Sequence, residues 1–237
     1  MEKKKKPIIL IPLVIILILI GFVLAYLFTS DGADNEIQVT NADVTIDEEF
    51  DKSNLKPGYN VYQKTVPITN KGENPCFVRV FMDFSDSSLI GDAASDVRTY
   101  FSNAKSKPPV PEADTPHSNI DSTIWKLAAE KTWLDKNWVY IDYDGSKKYM
   151  TDSGLVTETA IDSLKGLGGY YYYKIPVAPD ESTSPLISWV MTYFKDAQKM
   201  KIYDILVYTE TMQTIGIDGT EYTDADWADA WKAYLHI

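Results

Sequence analysis

The residue types that most often carry catalysis are scarce in this sequence. Its 237 residues contain two histidines, His117 and His236, and one cysteine, Cys76. A common type of zinc peptidase needs two histidines four residues apart on a helix with a glutamate between them, and this spacing is absent. Cys76 and a histidine would make a nucleophile and base, but Cys76 falls on the apolar face of a predicted strand. That position favours a buried structural thiol.

Carboxylates are too numerous to single out a site. Asp and Glu number 34 against 23 Lys and Arg, which gives a formal net charge of −11 at pH 7. Pairs suited to glycoside hydrolysis can therefore be drawn in many ways. The acidic turns at 31–36, 142–144 and 218–221 lack the ligand spacing of a known calcium loop, so solvated turns are favoured over weak cation sites. We predict no catalytic residue, no cofactor and no metal ligand.

Charge and aromatic content bear on the possible binding partners. A strongly acidic surface repels phosphate backbones, which argues against nucleic-acid binding. Four consecutive tyrosines at 170–173 alternate across a predicted strand, so half of them could face solvent and stack on sugar rings. Tyrosine also fits a half-buried strand, and this second interpretation is favoured.

The amino-terminal segment predicts export. Lysines occupy positions 3–6, and residues 7–28 carry no charge. Val23 and Ala25 supply the small residues that a signal peptidase reads, with cleavage before Tyr26. The apolar run is also long enough to span a bilayer, so a single-pass anchor with its amino terminus inside stays open. Residues 1–28 are thus a signal peptide or membrane anchor, and residues 29–237 are secreted, in the extracellular matrix or at the cell surface.

Short strands separated by turns dominate the exported part. The alternation of apolar and polar residues predicts strands over 36–50, 62–70, 76–84, 138–143, 147–151, 170–177, 186–194 and 201–211. Residues 85–136 are predicted to be a surface insertion, loose over 85–123 and with a short helix over 124–134. Strands without regularly intervening helices favour an antiparallel β-sandwich in one extracellular domain.

A helix is predicted at the carboxyl terminus, over 223–236. Thr223 is suited to cap its start with Asp226 three residues later, and Trp227, Trp231 and Tyr234 fall on one face. Because that face is apolar, we expect the amphipathic helix to lie across the sandwich.

Several motifs occur in an order that resembles one family. They comprise the leader over 23–31, Asn35-Glu36-Ile37, 53–58, 66–72, 77–80, Trp138, 170–174, 183–186, 211–213 and Ala230-Trp231. This set resembles the TasA/camelysin family of exported Gram-positive proteins over almost the whole chain.

The resemblance implies a jelly-roll-like β-sandwich whose leader is cut by a SipW-type signal peptidase. TasA-like members polymerise into biofilm fibres, in which the amino-terminal strand of one subunit completes the sheet of its neighbour. Camelysin-like members are described as surface metalloendopeptidases. For this chain the resemblance suggests Asn35, Ile37 and Val39 as a candidate donor strand, unless that stretch pairs within its own subunit.

The resulting hypothesis is a non-enzymatic structural protein of the cell surface or biofilm matrix that forms fibres or assists them. Its expected partners are copies of itself or related matrix subunits, the signal peptidase, and the membrane if the leader is retained. Two alternatives stay open, a camelysin-like surface metalloendopeptidase and an adhesion or polysaccharide-binding module.

Overall fold

A computed structural model of the chain describes residues 55–216 and 219–237. The predicted leader and the predicted strand over 36–50 lie outside the described residues. Within them, no helix is both long enough and apolar enough to cross a bilayer.

Ten strands and one α-helix make up the regular structure of the described residues. The strands are β1 (Gly58–Gln63), β2 (Cys76–Phe84), β3 (Val97–Ser102), β4 (Lys126–Leu127), β5 (Trp138–Ile141), β6 (Lys147–Thr151), β7 (Gly154–Glu158), β8 (Tyr171–Val177), β9 (Trp189–Phe194) and β10 (Ile205–Gln213). The helix α1 spans Trp227–Leu235, and short 3₁₀ turns lie at Ser87–Ile90, His117–Asn119, Ala128–Glu130, Asp162–Leu167 and Asp224–Asp226.

The strands form two antiparallel sheets, consistent with the predicted β-sandwich. One sheet has the order β1-β9-β3-β4, and the other has the order β10-β2-β8-β5-β6-β7. The two sheets share one apolar cluster, to which both contribute side chains. Phe84 of β2 and Phe101 of β3 stack across it, with ring centroids 6.0 Å apart. The mainly β character predicted from the sequence is therefore confirmed.

Strand β2 shows why alternation in the sequence located this core. Cys76, Val78 and Val80 point into the cluster between the sheets. Phe77 and the guanidinium-bearing Arg79 point to the opposite face, where both are also buried. The six-stranded sheet is therefore covered on both sides at this point.

The helix α1 covers one end of the outer face of the six-stranded sheet, as the sequence predicted. The backbone N–H of Thr223 donates to the Asp226 carboxylate at 3.1 Å, which completes a capping box before the helix. Trp231 is fully buried and meets Tyr172 edge to face, at 5.8 Å between centroids. The predicted helix and its packing face are confirmed.

A loop covers the outer face of the other sheet. Tyr59, Tyr100 and Trp125 belong to an apolar cluster on that face. The indole N–H of Trp125 donates to the carbonyl of Pro109 at 3.1 Å, which fixes the loop over the sheet. The four-stranded sheet, like the other, thus has packing on both of its faces.

The prediction that residues 85–136 form a surface insertion is wrong, because the segment contains a buried central strand. Strand β3, inside the segment 85–136, is buried at all six of its positions and lies between β9 and β4. The segment supplies a central strand of the smaller sheet, and its other buried side chains include Leu89, Leu127 and Leu134. The segment is rich in Ser, Asp and Pro because these residues form the turns around β3, where the polar groups are hydrogen-bonded.

The predicted helix over 124–134 is also wrong. The segment forms the two-residue strand β4 followed by a 3₁₀ turn. Trp125 packs on the outer face of the four-stranded sheet, whereas Ala128 and Trp133 enter the cluster between the sheets. The apolar residues at helical spacing therefore serve two different layers and do not form one helix face.

The boundary of the first described strand also differs from the predicted one. Strand β1 ends at Gln63, so most of the predicted strand over 62–70 lies beyond it. Val66 and Ile68 are nevertheless buried, and the N–H of Val66 donates to the carbonyl of Ile187 at 3.0 Å. This stretch is extended and alternates as predicted. Pro67 has no N–H to contribute to a continuous ladder there.

Candidate functional site

The conventional catalytic candidates lie apart in the fold. Cys76 is buried in the cluster between the sheets, where burial raises the pKa of its thiol to about 11. His117 lies on the outer side of the four-stranded sheet, with its Nδ1 2.9 Å from the hydroxyl of Tyr100. His236 ends the helix α1 in a left-handed conformation, at φ 57°. The structure does not bring a histidine to the thiol, and the thiol is the buried group that the sequence favoured.

The acidic turn at 142–144 is organised by hydrogen bonds from its own backbone, whereas the turn at 31–36 lies outside the described residues and the one at 218–221 is described only in part. The N–H of Tyr143 donates to Asp142 at 2.8 Å, and the N–H of Ser146 donates to Asp144 at 2.7 Å. Hydrogen bonds from Ser146 hold the pKa of Asp144 below its usual range. Over residues 55–216 and 219–237, no three His, Cys, Asp or Glu side chains are grouped so as to hold a metal ion.

The tyrosine run at 170–173 is more buried than the sequence suggested. Tyr171 is fully buried between the sheets, and Tyr172 is fully buried beneath α1, where its hydroxyl donates to the carbonyl of Leu167 at 2.7 Å. Tyr173 packs against Trp138. Only Tyr170 stays partly exposed. The idea that alternate members of the run face solvent is therefore wrong, because helix α1 covers the outer side of β8.

The residues predicted for processing and strand donation are not placed by the structure. Val23, Ala25 and Tyr26, at the proposed cleavage site, and Asn35, Ile37 and Val39, in the candidate donor strand, lie outside the described residues. The described part of the chain contains a sheet edge whose outward backbone groups form no ladder with other described residues.

That edge is β10, the outermost strand of the six-stranded sheet on one side. Near its start, Ser85 N–H donates to the carbonyl of Asp204 at 2.9 Å, and just after its end Thr214 N–H donates to the carbonyl of Pro75 at 3.1 Å. The pairing with β2 runs between these two points without a shift of register. In an antiparallel ladder alternate residues bond to the partner, so the even-numbered residues of this stretch face β2.

The odd-numbered residues of β10 consequently direct their backbone groups away from the sheet. These residues are Ile205, Val207, Thr209, Thr211 and Gln213. Their N–H and C=O groups have no backbone hydrogen bond to any other described residue. The side chains of Ile205, Val207 and Thr209 point into the core, so a strand added here would continue an already packed sheet.

The composition of β10 leaves this edge without the usual protection. Its sequence, ILVYTETMQ, contains no proline, glycine or lysine. Its single charge, Glu210, is neutralised by Arg79, whose Nε donates to the carboxylate at 2.9 Å. Natural edge strands are commonly blunted by lysine, proline or short length. A nine-residue edge with high β-propensity and one neutralised charge favours pairing with another chain.

The other three edge strands of the described sheets differ from β10. Strands β1, β7 and β4 have six, five and two residues. Strand β7 begins at Gly154 with φ at +116°, and it carries Glu158, which pairs with Lys147 at 2.9 Å. Because β10 is the longest of the four edge strands in the described sheets, it offers the most backbone groups to a further strand.

Sequence analysis located the strand β10, over 201–211, but not its place in the sheet. The alternation of Ile205, Val207 and Thr209 without lysine or proline is the available signal. It indicates an edge only once the strand order is known. Comparisons with protein-family models, with curated proteins and with solved structures find no match.

Proposed function

We propose that this protein is a non-enzymatic structural subunit of the cell surface or extracellular matrix, and that it assembles by strand addition at β10. The observation that carries this proposal is the nine-residue edge that no strand within 55–216 or 219–237 covers, with five residues directing their backbone groups outward. Backbone hydrogen bonds along such an edge supply affinity, and alternate side chains set the register.

The donor in this proposal is the segment around Asn35, Ile37 and Val39 of a second copy or a related subunit. The 15 residues of 40–54 separate it from the described fold. Fully extended, they span at most about 50 Å, which is enough to reach a neighbouring subunit. Ile37 and Val39 have the period-two spacing that places both on the same side of an added strand.

The same proposal includes a jelly-roll-like strand arrangement and the fate of the leader. The chain passes between the two sheets from β1 to β2 to β3, and again from β8 to β9 to β10, while β5 to β8 lie in one sheet. This alternation supports a jelly-roll-like arrangement. Cleavage of the leader by a SipW-type peptidase would free the donor segment, whereas an uncleaved leader would hold the subunit at the membrane surface.

A proline substitution on the open edge tests the acceptor. Thr209→Pro removes an N–H that points away from β2, and Thr209→Val keeps that N–H with a similar side-chain volume. We expect the full chain, secreted by a host with a SipW-type peptidase, to form fibres in electron micrographs. Thr209→Val should also form fibres, and Thr209→Pro should stay monomeric by light scattering.

A peptide competition keeps the test decisive if Thr209→Pro does not fold. A synthetic peptide of residues 33–41, added in excess to wild-type protein, should slow fibre growth, and a scrambled peptide should not. A wild-type protein that stays monomeric at every salt concentration and pH would overturn the proposal. Fibre growth that is indifferent to the peptide would overturn the assigned donor.

A further inference from the structure

Helix α1 leaves part of the outer face of the six-stranded sheet bare, and three aromatic side chains cross that bare part. Tyr208 of β10 lies opposite Phe81 of β2, and the ring of Tyr170, the residue just before β8, lies beside Phe81. The centroids of Tyr208 and Phe81 are 6.2 Å apart, and those of Phe81 and Tyr170 are 5.7 Å apart. We call Tyr208, Phe81, Tyr170 and the neighbouring Tyr143 the aromatic row.

Tyr143 extends the row beyond Tyr170. Its side chain is 69% exposed, and its ring packs against the backbone of Gly169. A Cβ atom at Gly169 would lie 2.7 Å from the ring, and φ is +90° there, a backbone conformation that favours glycine. The turn therefore places an exposed tyrosine beside Gly169, the residue that precedes Tyr170. Tyr208, at the opposite end, is 53% exposed.

The rim of the row is acidic. Asp83 shares the outer face of β2 with Phe81, and Asp142 and Asp144 flank Tyr143 in sequence. None of these three carboxylates forms an ion pair with another residue of 55–216 or 219–237. Lys131 interacts electrostatically with Asp83 and Asp142, and Lys165 interacts with Asp144, so the rim is only partly compensated. An anion would be repelled by the overall charge of −11, whereas a cation would be attracted.

The row already binds one cation within the molecule. The guanidinium carbon of Arg79 lies 4.1 Å from the centroid of Tyr170 and 4.8 Å from that of Trp231. These contacts mark the boundary between the part of the face that α1 covers and the part that it leaves bare. Arg79 therefore occupies one face of the Tyr170 ring, and Tyr208 and Tyr143 are the rings of the row that are left most exposed.

We propose that the aromatic row binds a polysaccharide whose sugar units carry free amino groups. Pyranose rings present C–H faces that pack on aromatic rings, and an ammonium group adds a cation–π contact and attraction to the acidic rim. The row is narrow, with Asp83 and Leu206 on one side and the Arg79–Glu210 pair on the other. Charged residues so close to the row argue against a protein partner, because the centre of a protein interface is depleted of charge.

The tilt of the rings specifies the kind of glycan. The planes of Tyr208 and Phe81 differ by 45°, and those of Phe81 and Tyr170 by 57°. A flat crystalline polymer needs coplanar rings to contact many chains at once. Tilted rings fit a single soluble chain, which can turn about its glycosidic bonds. The row lies on the face of the sheet, so a strand added at the edge of β10 leaves it open.

Calorimetric titration of the secreted full chain with hexasaccharides tests the inference. The probes are fully deacetylated chitosan hexamer, its N-acetylated counterpart and an oligogalacturonate. We expect the deacetylated hexamer to bind best, the acetylated one more weakly, and the acidic one not at all. Equal affinity for the two amino-sugar hexamers, or a preference for the acidic one, would overturn the assignment.

Single-residue variants test whether the aromatic row is the surface that binds the hexamer. Tyr208→Ala and Tyr143→Ala should each weaken binding of the deacetylated hexamer about fivefold, the effect of one exposed cation–π contact. Tyr149→Ala is the matched control, because Tyr149 lies among Lys147 and Lys174 on the far hairpin and its loss should change nothing. Asp83→Asn should weaken binding of the deacetylated hexamer alone.

The monomeric Thr209→Pro variant should bind the hexamer as the wild type does, which separates this inference from fibre assembly. Absence of binding by any hexamer, or binding that Tyr208→Ala and Tyr143→Ala leave unchanged, would overturn the proposed site.

Discussion

The outer face of the six-stranded sheet has two halves that differ in what covers them. Beneath α1, Phe77, Tyr172 and Trp231 are each fully buried in one apolar cluster. Beyond Arg79, Phe81 and Tyr170 are only half-buried, and Tyr208 is more than half exposed. The same strands thus present aromatic residues to both halves, and the boundary is set by where the helix stops.

The difference shows that aromatic content alone does not separate core from surface on a sheet. Burial of an aromatic side chain beneath a helix contributes to stability in proportion to the area removed from water. The same residue type in the bare half contributes little to folding and stays available to a ligand. The two halves should therefore respond to truncation in opposite ways, one in the free energy of unfolding and the other in binding.

The largest expected effect is in the covered half. Trp231→Ala removes a fully buried ring that contacts Tyr172, Tyr234 and Arg79. We expect it to lower the free energy of unfolding by about 3–5 kcal/mol, the range for large-to-small changes in a core. Urea denaturation followed by circular dichroism measures this. A loss below about 1 kcal/mol would mean that α1 is not a structural part of the sheet's cover.

The second effect is at the boundary between the halves. The side chain of Arg79 is 7% exposed and that of Glu210 is 33% exposed. Glu210→Ala leaves a buried guanidinium without its carboxylate, so we expect a loss of about 3 kcal/mol, the low end for a broken buried pair because Glu210 is partly solvated.

Adding Arg79→Met to Glu210→Ala tests the cause of that loss. The double variant removes the unpaired charge and should regain part of the stability in a double-mutant cycle. If the two losses simply add, Arg79 acts mainly through its contacts with Tyr170 and Trp231 and not through the ion pair.

The covered half was also the part that the sequence predicted best. Strands β2 and β8 and helix α1 follow from period-two and helical spacing of large apolar residues. Strand β3 escaped prediction because both of its faces are buried and its residues do not alternate. Arg98, inside β3, is buried, and its Nη1 donates to the carbonyls of Ala93 and Ser95, so a charged residue lies within a strand that is covered on both faces. No local signal distinguishes such a strand from a loop.

The candidate edge and the aromatic row were not predictable in the same way. Tyr208, Phe81 and Tyr170 are distant in the sequence, and the order β10-β2-β8 brings them together. The sequence predicts each strand but not its neighbours. An edge and a cross-strand row are properties of strand order, which depends on long-range packing between the sheets.

The smallest expected effect is in the bare half, and Cys76 provides a sensitive probe of it. Tyr208→Ala should change the free energy of unfolding by no more than about 0.5 kcal/mol, because the side chain is exposed. Cys76 is the single cysteine of the chain. It is buried and directly precedes Phe77, which belongs to the covered half. Burial raises the pKa of its thiol to about 11, so labelling by a thiol reagent requires local or global opening.

We expect Trp231→Ala to speed the labelling of Cys76 and Tyr208→Ala to leave the rate at the wild-type value, both measured at pH 8 in native buffer. Cys76→Ala serves as the control for background reaction. Faster labelling in Tyr208→Ala would show that the bare half also holds the sheet together. In that case the aromatic residues of the bare half contribute to stability. The affinity of the folded Tyr208→Ala variant then tests their role in binding separately.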